Sequence, residues 1–126
     1  MISGWSWLAI AMGGSFGAMA RFLVSREMNR WLGSSFPYGT LTVNGAGSWL
    51  LGFLAVFILD RMEVHPAWWL GVSVGFLGAF TTFSTFSYES VMLLMEGHLW
   101  KAVQNAGANL ILCVGLCYLG MQMARW

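Results

Sequence analysis

Four long stretches of this chain carry almost no charge, and the charged residues mark where they stop. Met1 to Ala20 and Trp31 to Leu59 contain no Asp, Glu, Lys or Arg; Val64 to Tyr88 is broken only by His65, and Ala102 to Ala124 is uncharged throughout. Each stretch is long enough to cross a hydrocarbon layer about 30 Å thick, which takes ~20 residues as helix. Lipid offers no hydrogen bonds to the backbone, so a spanning segment must satisfy its own N–H and C=O groups, and helix does this. The pattern predicts four transmembrane helices, over residues 5–24, 38–59, 68–95 and 100–124, in a single membrane domain covering 1–126. Trp5, Trp7, Trp31, Trp68, Trp69, Trp100 and Trp126 gather near the ends of these spans, as indole rings do at the headgroup level.

The predicted connections, 25–37, 60–67 and 96–99, are short, so successive spans run antiparallel and both termini fall on one side. Ala18-Met19-Ala20 has the look of a signal-peptidase site, but no Lys or Arg precedes the apolar stretch, so it is expected to remain as a span. Composition agrees with a membrane chain: 58% of residues are hydrophobic and 9% charged, against about 25% charged in a soluble domain. The net charge of +1 gives no reason to expect a nucleic-acid partner. Its distribution matters more. Arg26, Arg30 and Lys101 flank one side and Arg61 and Arg125 the other, so the Lys/Arg excess that orients a membrane protein is nearly absent. Such a chain is expected to insert both ways up, and two copies of opposite orientation can then pair about an axis in the membrane plane.

The third span is too long. Residues 68–95 would extend about 42 Å as unbroken helix at 1.5 Å per residue, and its centre, Gly75 to Ser87, is rich in Gly, Thr and Ser. Gly78 weakens a helix, and the hydroxyls of Thr81 and Thr82 compete for backbone groups. A break near 78–82 would free carbonyl oxygens and N–H groups for ions; a mildly kinked helix with back-bonded hydroxyls is the other reading. Polar residues elsewhere divide the same way. Asn44, one turn before Ser48, is either an anion donor or interhelical glue, with Gly45 and Gly47 allowing close approach. Phe83 and Phe86 share a face among Ser84, Thr85 and Ser87, and aromatic ring edges are positive; ordinary packing is the alternative. Glu89 lies one turn further on, as a gating or proton-linked group or as an interfacial carboxylate. Arg21 either snorkels or draws anions toward a vestibule. Asn105 and Asn109 could continue a polar track in the last span. Cys113 and Cys117 read as small apolar residues of a helix. His65 and His98 stand alone, no paired carboxylates share a face within a span, and no phosphate-cradling loop is present, so an enzyme is not expected.

The ordered set of motifs resembles one family. Gly-Thr-Leu-Thr-Val-Asn at 39–44, Gly-Phe-Leu-Gly-Ala-Phe-Thr-Thr-Phe-Ser-Thr-Phe-Ser at 75–87 and Glu89 are similar to the CrcB/Fluc fluoride channels, and the likeness extends over all four spans, including Gly17 to Arg21. The resemblance implies an all-α membrane protein of four helices per subunit, the third broken near its centre, forming an antiparallel, dual-topology homodimer in the bacterial inner membrane, with lipid around it and no further protein partner. It implies passive export of fluoride, relieving fluoride toxicity. Asn44, Phe83 and Phe86 match pore-lining positions; Ser84, Thr85, Glu89, Asn109 and Arg21 match adjacent polar ones. It also implies a structural Na⁺ at the dimer centre, held by the backbone carbonyls of Gly78 and Thr81 and not transported. Two departures stand out: Cys113 follows Asn109 where the family's track is often Ser-rich, and Phe80 precedes the Thr pair in a role the sequence does not assign. A dual-topology small multidrug transporter is the alternative, but it needs a carboxylate within the membrane, and Glu89 is the one candidate. A purely structural subunit would leave the polar third span without a purpose.

Overall fold

The computed structural model describes residues 2–126, and among these every regular element is helical. Helix α1 spans Gly4–Leu32 and begins where the Ser3 hydroxyl accepts the Ser6 N–H at 3.3 Å. It runs eight residues past the predicted end at 24. Arg26, Glu27 and Arg30 end the apolar stretch but are good helix formers, Glu27 and Arg30 pair at 3.7 Å one turn apart, and Arg30 sits in the last turn, where a cation offsets the helix dipole. The helix stops at Gly33, whose φ of +85° suits glycine. The Asn29 side chain then accepts the Gly39 N–H at 3.1 Å and draws the chain into α2, Tyr38–Arg61.

The third segment is composite. Pro66 opens α3, Pro66–Leu70, where its missing N–H costs nothing. A π-helical stretch, Gly71–Leu77, and a single turn, α4, Gly78–Phe80, follow. Thr81 (φ −85°, ψ 155°) and Thr82 (φ −152°, ψ 116°) are extended. Helix α5, Phe83–Met95, restarts under the Thr82 hydroxyl, which accepts the Thr85 N–H at 3.1 Å. Helix α6, Leu99–Arg125, completes the chain. Lys101 at its start donates to the Ser35 carbonyl at 3.2 Å, tying the α1–α2 and α5–α6 connections to one end of the bundle. Four segments, Gly4–Leu32, Tyr38–Arg61, Pro66–Met95 and Leu99–Arg125, are long and apolar enough to cross a membrane: this is a multi-pass membrane protein.

Glycines set the helix pairing. A Cβ on Gly13 would run into the Gly71 carbonyl and one on Gly17 into the Phe76 carbonyl, so α1 lies backbone to backbone against the π-helical stretch. A second seam joins α2 to α6, where Gly52 meets the Cys117 carbonyl and Gly120 the Trp49 carbonyl. Between helices in lipid there is no hydrophobic drive, and close packing of small residues replaces it. Val43, Leu77, Phe80 and Leu93 fill the interior, while Trp5, Phe22, Trp31, Trp100 and Ile111 face outward, as suits a surface wetted by acyl chains.

Candidate functional site

The extended residues Thr81 and Thr82 interrupt the helical ladder, and Asn44 takes up what they leave. Its side-chain oxygen accepts the Thr82 N–H at 2.8 Å, and its NH₂ donates to the Thr82 carbonyl at 3.1 Å. One amide thus closes a two-bond ring with one residue's backbone. In a continuous helix the Thr82 N–H would have bonded the Gly78 carbonyl; here that carbonyl is left without its ladder donor. The position of Asn44 depends on the short distance between α2 and the third segment, which Gly47 permits: a Cβ there would strike the Thr81 methyl and stand 3.3 Å from the Phe80 ring.

The second hydrogen of the Asn44 amide goes to Asn109 Oδ1 at 2.9 Å. Asn109 donates in turn to the carbonyl and side-chain oxygen of Asn105, at 2.9 and 3.0 Å, and Asn105 donates to the Ser90 hydroxyl at 3.0 Å. The result is a line of three amides from α2 through α6 to α5, with Asn105 fully buried and Asn109 nearly so. Of the two readings of Asn44, anion donor or interhelical glue, this conformation displays the interhelical bonds, with both of its N–H groups engaged. Asn105, no more than a continuation of the track in the sequence, is a central member.

Beside this line opens a cavity of about 570 Å³, lined by Asn44, Ser48, Ser73, Gly78, Thr81, Phe83, Phe86, Asn109 and Cys113 among others. Phe83 and Phe86 meet at 5.5 Å between ring centroids, inclined at 58°, and Phe83 is 79% exposed, so its ring stands open to the cavity and to whatever lies beyond the chain. Ser84 and Thr85 surround the α5 N-terminus, with the Thr82 hydroxyl 3.4 Å from that of Ser84 and donating to that of Thr85 at 3.0 Å. The Thr85 N–H is capped by Thr82, and the N–H groups of Phe83 and Ser84 fall at the first two positions of the helix, which have no ladder partner.

The remaining expected residues lie apart. Glu89 accepts a hydrogen bond from the Thr40 hydroxyl and lines a separate cavity of about 260 Å³ with Asn29, Tyr88 and Glu96, so a hydroxyl is its partner. Arg21 is half-buried on α1 and lines neither cavity. Phe80, unassigned in the sequence, is a core residue: 7% exposed, stacked on Phe76 at 5.8 Å and packed over Gly47. Among the described residues no group of three His, Cys, Asp or Glu side chains gathers as metal ligands.

Residues 8–121 match the family described as CrcB-like protein, Camphor Resistance (CrcB). A protein of Methylococcus capsulatus named Fluoride-specific ion channel FluC is 48% identical over 120 residues, which cover 95% of this chain and 53% of that relative, so the chain spans about half of its length. Proteins of the same name from Shewanella halifaxensis and Shewanella pealeana are 48% and 46% identical over 117 residues, covering 92% of this chain and 93% of each relative.

Proposed function

The chain belongs to the CrcB-like family, and from that premise we propose that it is a fluoride-specific ion channel, not an enzyme, which lets fluoride leave a bacterial cytoplasm passively across the inner membrane. The observation that carries the reading is the polar line Asn44–Asn109–Asn105 beside the Phe83–Phe86 pair, set on a cavity within the helical bundle. Fluoride is small and strongly hydrated, so a pore must return several good hydrogen bonds. Amide and hydroxyl donors supply them, positive ring edges add to them, and the N–H groups opening α5 favour an anion. Among the described residues no Lys or Arg lines the cavity; a buried cation would hold the ion too tightly for conduction.

A single chain leaves this cavity open on the face that carries Phe83 and Gly78. A second copy in the opposite orientation closes it, and the near-balance of Arg and Lys across the two ends permits both orientations. In such a dimer the Gly78 and Thr81 carbonyls of two chains meet at the centre. They fit Na⁺: they are hard oxygen donors, the Gly78 carbonyl has lost its ladder donor to Asn44, and Gly78 is exposed on the cavity. Bound there, Na⁺ would supply a fixed positive charge that offsets the cost of taking fluoride out of water. The Asn44 clamp keeps the Gly78 carbonyl out of the ladder, and the Thr82 hydroxyl does the same for Thr81 by accepting the Thr85 N–H. The multidrug-transporter alternative loses ground, because its one candidate carboxylate, Glu89, sits off the main cavity and is bonded to Thr40.

The test is efflux from proteoliposomes loaded with potassium fluoride, with a K⁺ ionophore balancing charge and a fluoride-selective electrode as readout. Rapid fluoride release with little chloride release is expected. Equal rates for the two anions would refute the assignment, and proton-coupled movement of an organic cation would favour the transporter.

A further inference from the structure

The amide line has a direction, and backbone groups fix it. Asn44 cannot flip, because its oxygen faces a backbone N–H and its nitrogen a backbone carbonyl, both of Thr82. Asn109 cannot flip either, because its nitrogen faces the backbone carbonyl of Asn105. A flip of either would oppose donor to donor or acceptor to acceptor. The second Asn44 N–H is therefore held against a carbonyl oxygen, Asn109 Oδ1, whenever no ion is present.

Resting on the reading of the chain as a fluoride channel, we propose that Asn109 is a built-in competitor of the permeating anion: its side-chain oxygen occupies the Asn44 N–H, and fluoride binds there by displacing it. The Thr82 bonds are not the ones given up. They are two contacts closing one ring, so breaking one strains the other, whereas the bond to Asn109 is single. Asn109 stays anchored through both of its contacts to Asn105 while its oxygen is released. Asn105 is then a positioning residue, bonded to Ser90 and buried completely, which holds Asn109 at the right height to return when the ion leaves. The device limits dwell time: an ion that binds must break one amide–amide bond, and the same bond re-forms as it departs.

The sign of this effect separates it from a simple donor-lined pore, in which removing a polar residue can only weaken binding. Asn109→Ser is the informative variant. Serine on a helix bonds the carbonyl four residues back, as Ser15, Ser73 and Ser87 do in this chain, so it keeps a contact to Asn105 but is too short to reach Asn44. The fluoride concentration giving half-maximal efflux from proteoliposomes should fall about three- to tenfold, the worth of one neutral hydrogen bond. Asn109→Asp, which keeps the acceptor and adds negative charge, should raise it. An unchanged or higher half-maximal concentration in Asn109→Ser, in protein that elutes and melts as wild type does, overturns the proposal. Should that variant fail to fold, the wild-type channel still decides. With labelled asparagine, magnetic-resonance signals of Asn44 Nδ2 and Asn109 Cγ should shift together on fluoride addition, and movement of Asn44 alone overturns it. Wild-type liposomes that release no fluoride would instead remove the channel reading beneath it.

Discussion

Replacing Asn44 by Leu tests whether the interruption in the third segment is held by a side chain or is self-supporting. The side chain stays similar in shape, so packing changes little. What is lost is three hydrogen bonds, to the Thr82 N–H, the Thr82 carbonyl and Asn109 Oδ1. Interhelical bonds in membranes are worth about 0.6 kcal/mol on average and up to about 1.7, because the unfolded chain in lipid also finds partners. Three bonds then amount to roughly 2–5 kcal/mol. The upper part of that range is expected, since Thr82 and Asn109 are buried and orphaned buried groups carry a desolvation cost of about 1–3 kcal/mol each. Reversible unfolding in mixed detergent micelles measures this directly. The Thr82 N–H would also be free to return to the Gly78 carbonyl, so the variant should gain helical signal in circular dichroism as it loses stability. A stability within about 0.5 kcal/mol of wild type, under the value of a single average bond, would refute the clamp and leave Asn44 with a role toward the ion alone.

Three further outcomes are expected. Gly17→Val should weaken the contact of α1 with the π-helical stretch by about 1–3 kcal/mol, the usual cost of overpacking, since even a Cβ would stand 2.9 Å from the Phe76 Cα; an unchanged melting temperature would show that the seam is loose. Moving one or two Lys or Arg residues between the ends of the bundle should lock orientation. A variant locked one way should fail to protect cells from fluoride, two oppositely locked variants together should succeed, and full protection by one alone would exclude the antiparallel pair. Exhaustive removal of Na⁺ during purification should abolish fluoride efflux while a Na⁺ gradient leaves its rate unchanged; undiminished efflux, or Na⁺ moving in proportion to fluoride, would exclude a structural ion at Gly78 and Thr81.

The four spans were legible because charge exclusion from hydrocarbon is a strong and local signal. Their ends were less so. Arg26, Glu27 and Arg30 mark where the lipid stops, but the helix carries on through them to Gly33, since charge is no obstacle to helix in the interfacial layer. The glycine seams at Gly13 and Gly17 were readable as small-residue spacing; their partners were not, because nothing in the sequence says that Gly13 meets Gly71. The site divides likewise. Its residue types could be picked out as polar groups in an apolar chain, and their order carried the family resemblance. The direction of the amide line could not, because it is set by the backbone of Thr82 and Asn105, which bear no sequence signature. The roles of Phe80 and of the π-helical stretch were hidden for a related reason: both answer to how closely neighbouring helices approach, a quantity settled only when all four are assembled.

That assembly has an order in time. Asn44 enters the membrane with the second span, yet Thr82 lies 38 residues further along the chain and Asn109 65 residues further. At a synthesis rate of about 5–20 residues per second, the amide waits roughly 3–13 s for its last partner. Until α6 arrives one N–H of the Asn44 amide lacks its acceptor on Asn109, and a chain truncated before α6 never supplies it. The bond from Asn44 to Asn109 is thus also a mark of completed synthesis, made only once the last span is in place.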